Sequence, residues 1–400
     1  MTRSATARAL RPVPPSDPWS AGASPLASGQ SAALESAARL PLLAALCLGS
    51  STEDGIAPQD WPPLLCLAVR QGVAPLLHLR LRGQSGPEDV RAELARLYRS
   101  NTARNLLLDR ECRAAVAALG ERAVVAIPLK GPQLAQLLYG DIGARQVADL
   151  DLLLRPEELP VADQALARLG YQRATTAPVE QWQKCRDVLY AREQPGGSRL
   201  FLDLHLRLRP YGRGDALAGR IRREGLTREN LLLYLCLNLL THRWARLQPW
   251  LDLAAFLRGE GARMNWVQVE DVARGLEWPA GVFFSLRGGG QLAQTRVPDR
   301  LLRALHPGRL DAWWLESLLG GNARTTLARC AQLDGPRGAL AILGCERGPA
   351  QKLRLAASIL FPPAASLRQM DAAGANLPLP AHYAARVVSK TGSLFRRPGG

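Results

Sequence analysis

A chain of 400 residues with 47% hydrophobic composition can bury two or three packed units, which excludes a wholly disordered protein. Its 51 Lys and Arg against 35 Asp and Glu leave a formal net charge of +16, nearly all of the excess arginine. Such a surface admits nucleic acid, a nucleotide or an anionic lipid headgroup, but the arginines are scattered and often at helical spacing, so a solvated basic face also accounts for them.

The first 30 residues are rich in Pro, Ser, Ala and Gly and lack the apolar core of a secretory signal, so they read as a disordered leader. From 31 to 104 apolar residues recur at helical intervals, as in "LESAARLPLLAALCLG", and define an N-terminal helical region. Between 105 and 215 the texture changes to short strands alternating with short helices. "AVVAIPL" and "VADLDLLL" read as strands around the helix "PQLAQLLYG", followed by a helix over "PEELPVADQALARLGY" and two strands, "VLYARE" and "RLFLDLHLRL". Residues 216–390 return to helices, and 391–400 form a basic tail. The expected fold class is α+β, with a small mixed sheet flanked by helical regions on both sides.

The apolar run "LLLYLCLNLL" at 231–240 has about half the ~20 residues needed to cross a bilayer, so it reads as a buried helix and no membrane span is expected. Seven scattered cysteines without metal-ligand spacing point to reduced thiols and a cytoplasmic protein. The "RGGGQ" at 287–291 lacks the context of a dinucleotide fingerprint and reads as a loop.

The chemistry concentrates in "LKGPQLAQLLYGDIGARQVADLDLLL". Strand alternation puts Asp149 and Asp151 on one face and Leu150 and Leu152 on the other. In "RLFLDLHLRL" the same period buries Leu200, Leu202, Leu204 and Leu206 and turns Asp203, His205 and Arg207 outward. Three carboxylates converging on one sheet face repel unless a cation joins them. Hard divalent ions with oxygen ligands, Mg²⁺ or Mn²⁺, fit that set and suit in-line displacement at phosphorus. Gly131 permits close approach of a phosphate at the start of the helix opened by Pro132, and Lys130 and Arg145 add positive charge.

These motifs, "LKGPQLAQLLYGDIGARQVADLDLLLRPEEL" and "FLDLHLRL", resemble the uncharacterised bacterial nucleotidyltransferases of the DNA-polymerase-beta-like superfamily. The likeness extends through "LLYLCLNLLTHRWARLQPWLDLAAFL" and "LFPPAASLRQMDAAGANLPLPAHYAARV", covering roughly residues 35 to 390. It implies that Asp149 and Asp151 bind the metals, with Asp203 as the third acid and Gly131 at the phosphate turn. The chain departs from the usual Gly-Ser or Gly-Gly turn, since Pro132 offers no backbone donor. Asn238 stands where related sequences often carry a second histidine.

The expected activity is transfer of a nucleoside monophosphate from a nucleoside triphosphate, such as ATP, to an unidentified acceptor: a small molecule, peptide, sugar, RNA or protein. The alternatives are a non-catalytic scaffold that binds nucleotide or nucleic acid, and an enzyme modifying nucleic-acid ends. Supporting residues are His205, beside Asp203, together with His242 and Asp252. For these the plain readings are a hydrogen-bonded histidine, a core histidine, and an acid paired with Arg243 or Arg246.

Overall fold

The computed structural model describes residues 32–50, 56–83, 86–174, 186–195, 197–209, 215–333 and 336–361. The leader, the basic tail, Cys185 and the ending "LFPPAASLRQMDAAGANLPLPAHYAARV" beyond Phe361 lie outside them.

One five-stranded sheet organises the middle of the chain: β1 (Ile127–Lys130), β2 (Leu150–Leu153), β3 (Gln172–Arg173), β4 (Asp187–Glu193) and β5 (Arg199–His205), in the order β1-β2-β5-β4-β3. The β2–β5 pair is parallel and the others are antiparallel, so the sheet is mixed as expected. Strand β1 is shorter than "AVVAIPL". It lies at the sheet edge, where Pro128 costs no ladder hydrogen bond. The two-residue β3 was not anticipated, because a strand that short carries no period.

Helices surround the sheet. The N-terminal set is α1 (Ala32–Leu48), α2 (Trp61–Arg70), α3 (Ala74–Arg80) and α4 (Glu88–Gly120). Helix α4 runs unbroken through position 104, the boundary expected from the sequence. Then come α5 (Pro132–Tyr139), α6 (Leu159–Arg168), α7 (Ala216–Glu224), α8 (Arg228–Thr241) and α9 (Leu247–Glu260), followed by further helices to Leu360. Among the described residues no helix is long and apolar enough to cross a membrane.

The two sheet faces meet different cores. Leu150, Leu152 and Leu154 join Leu200, Leu202, Leu204 and Leu206 against Leu108, Cys112 and Leu119 of α4 and Leu159 and Leu166 of α6. The strand period therefore sorts the leucines as expected. Leu129 and Leu153 belong instead to a larger cluster with α8, α9 and the helices beyond. Helix α8 is buried on nearly all sides, as its largely apolar sequence requires.

The "RGGGQ" segment is helical, inside Pro279–Ala293, rather than a loop. A Cβ on Gly288 would lie 2.7 Å from the Trp250 ring, and one on Gly289 would lie 2.7 Å from Leu253. Glycines are used here for close helix packing, which outweighs their weak helix propensity.

Candidate active site

The acids reach one point through sheet register. Asp151 sits opposite Asp203 in the parallel β2–β5 pair, and Leu153 sits opposite His205. Arg222 donates to the carbonyls of Leu154 and Leu206, just past the ends of these strands, and so fixes their pairing. Asp149 precedes β2, in a bend rather than in the strand. The loop leading to it is held from α4. Asn101 donates to the carbonyls of Gly143 and Arg145, Asn105 to those of Ile142 and Arg145, and Arg104 to those of Val147 and Ala148.

Asp151 is almost wholly buried. His205 Nε2 lies 2.7 Å from its Oδ1 and 3.7 Å from Asp203 Oδ2. Lys130 faces Asp151 across the β1–β2 ladder, where a register shift after Pro128 re-aims the strand. Its Nζ lies 3.1 Å from Asp151 Oδ2 and 3.8 Å from Asp149 Oδ1. Burial disfavours the charge on Asp151, but the Lys130 ammonium and the His205 bond prevail and hold its carboxyl well below the usual range. Burial, reinforced by Asp187 and Asp151, pushes Asp203 up to about 7. His205 is lowered by burial but raised more by its bond to Asp151 and the charge of Asp203.

Asp151, Asp203 and His205 each offer a ligand atom, all within 4.8 Å of one another, so this group could hold a metal ion. Asp203 Oδ1 and His205 Nδ1 are buried without a hydrogen-bond partner, and Asp151 Oδ2 has the Lys130 ammonium nearby but no well-directed bond. Buried polar atoms left open in this way fit a cation. The sequence reading placed Asp149 with Asp151 and Asp203, whereas the tight group replaces it with His205.

A cavity of about 300 Å³ opens over these residues. Opposite the acids, its wall is Tyr234, Asn238 and Thr241 of α8, with His242 just past the helix end and Arg186 and Arg243 nearby. His242 is an exposed residue that also lines the cavity rather than a core one. Close packing, then the charges of Lys130, Arg246 and Arg186, hold it below the ordinary imidazole value. Asn238 is the position where related sequences often carry a second histidine; Tyr234 and Thr241 carry no motif, although with Asn238 they fall at i, i+4 and i+7 of an apolar helix and so mark one face.

Gly131 has φ 125°, a conformation that favours glycine, but it does not line this cavity. Neither does Arg145, whose Nε donates to Asp252 Oδ2 at 2.9 Å while the Tyr139 hydroxyl donates to Oδ1 at 2.9 Å. Asp252 thus pairs with Arg145, the arginine the sequence reading had assigned to phosphate. A pair 107 residues apart leaves no local sequence signal.

The structure thus shows a cavity lined by acids, one histidine and basic residues beside a short strand–helix unit. The chain belongs to a family of uncharacterised nucleotidyltransferases, whose family model matches residues 57–288. No curated protein sequence and no solved structure matches the chain.

Proposed function

We propose that this protein is a nucleotidyltransferase of the polymerase-beta-like type that moves a nucleoside monophosphate from a nucleoside triphosphate to an acceptor and releases pyrophosphate. The observation that carries the reading is the Asp151–Asp203–His205 group, with its unpartnered buried atoms, in a cavity that Lys130, Arg186 and Arg243 also line. Acids and basic residues lining one cavity suit a cation-bound triphosphate, with the cation at the acids and the negative phosphates directed toward Arg186 and Arg243.

In this mechanism an acceptor oxygen attacks the α-phosphorus while the bond to the bridging oxygen of the β-phosphate breaks. Asp151 and Asp203, with His205 and the neighbouring Asp149, would hold Mg²⁺ or Mn²⁺; the nitrogen donor makes Mn²⁺ at least as suitable. When bound, such a cation would neutralise charge on the phosphates and leaving oxygen. His205 orients the Asp151 carboxylate through the 2.7 Å contact. Asp203, whose Oδ1 has no partner, is the group placed to receive the acceptor's proton. Most of the acceleration would come from positioning and electrostatics.

The test is a screen of the four nucleoside triphosphates with purified protein, Mn²⁺ and cell extract, with mass spectrometry of the products. A product heavier by one nucleoside monophosphate supports the reading. Triphosphate binding without modification of any component points instead to a nucleotide-binding scaffold.

A further inference from the structure

Lys130 stands inside the acid cluster rather than above it. Its ammonium is 3.1 Å from Asp151 Oδ2 and 3.8 Å from Asp149 Oδ1, and its side chain is only 21% exposed. The shifted register of β1 puts Lys130 opposite Asp151, so the chain itself delivers a positive charge to this position. The other flank differs, because Asp203 Oδ1 and His205 Nδ1 are buried with no partner. One side of the cluster is neutralised from within and the other is left open.

An ammonium 3.1 Å from Asp151 Oδ2 and 3.8 Å from Asp149 Oδ1 repels a divalent cation drawn to the same carboxylates, so the two compete for one store of negative charge. We propose that Lys130 is an internal counter-ion for Asp149 and Asp151 which an incoming divalent cation must displace, so that the site loads fully only when a triphosphate arrives to take up the released ammonium. The four-carbon stem of lysine permits that movement, and the adjoining cavity of about 300 Å³ provides room for it. The inference rests on the metal-binding reading of the site and adds the order of loading. Lys130 would hold the resting site together and deter free cations, then become a phosphate ligand.

The test is Mn²⁺ binding to the full chain, followed by electron paramagnetic resonance of the free ion. Titrations would be run without nucleotide and with an α,β-methylene nucleoside triphosphate, which cannot transfer its monophosphate. Without nucleotide, Lys130→Met is expected to bind Mn²⁺ about 10-fold more tightly than wild type, because the competing charge is gone. With the analogue the gap should narrow, as the wild-type lysine moves to the phosphates. Lys130→Gln should behave like Lys130→Met, which guards against a folding defect peculiar to one variant. Equal or weaker Mn²⁺ binding by both variants without nucleotide overturns the Lys130 inference alone. Absence of Mn²⁺ binding in every protein, with and without analogue, overturns both it and the metal-site reading.

Discussion

Replacing Asp252 with Asn keeps the side-chain shape but removes the anion from a buried ion pair. The Arg145 and Asp252 side chains are 5% and 0% exposed, 2.9 Å apart, and Tyr139 also bonds the carboxylate. The variant strands the Arg145 guanidinium away from water without a counter-charge, a loss of about 3–5 kcal/mol. At about 2 °C per kcal/mol, suited to a chain of this size, Tm should fall by about 6–10 °C in differential scanning calorimetry. The double variant Arg145→Met/Asp252→Leu should recover most of that loss, because no buried charge is left unpaired. Its triphosphate affinity should also survive, since Arg145 does not line the cavity. An unchanged Tm in Asp252→Asn refutes the reasoning. A double variant that is stable but no longer binds triphosphate would return Arg145 to the phosphate site.

Metal-free stability should depend on pH through Asp203 and His205. Asp203 titrates near 7 in the fold and near 3.9 when unfolded, so the folded state holds the extra proton between them and stability falls as pH rises through that window. The raised His205 value has the same sign, with stabilisation present below about 6.5 and lost as pH rises. In EDTA, Tm should be lower at pH 8 than at pH 6, and Asp203→Asn should flatten the slope; a rising wild-type Tm would contradict this. Asn101→Leu leaves the Gly143 carbonyl without its buried donor and the Arg145 carbonyl with Asn105 alone, which should lower stability by about 1–3 kcal/mol in urea unfolding. Gly288→Leu should cost about 1–3 kcal/mol through overpacking against Trp250, and an unaffected Tm would show that the helix contact is looser than described.

Part of the acid group was legible because strands alternate with a period of two: once "LFLDLHL" is a strand, Asp203 and His205 share a face, and Asp151 joins them only if its strand is the neighbour. That β2 and β5 pair in parallel and in register was not legible, since nothing local encodes which strands become neighbours. The position of Lys130 depends on a register shift in a strand of four residues, and the Arg145–Asp252 pair on packing between α9 and the loop before β2. The helical RGGG segment has no helix signal because glycine weakens helices, and the packing of Trp250, Leu253 and Val297 against its glycines explains the choice. Helix α8 was legible as buried, while its polar face became meaningful only when Tyr234 and Asn238 were found over the acids.

If the acid group serves transfer at the α-phosphorus, the position of a radioactive label decides it. Purified protein is incubated with cell extract and Mn²⁺, in parallel with triphosphates carrying ³²P at the α- or the γ-phosphorus. The α-label alone should become attached to an acceptor, and Asp203→Asn, which removes the group proposed to take the acceptor's proton, should slow attachment by about 10²–10⁴-fold while remaining folded. Attachment of γ-label, or an Asp203→Asn protein that transfers at the wild-type rate, would contradict it.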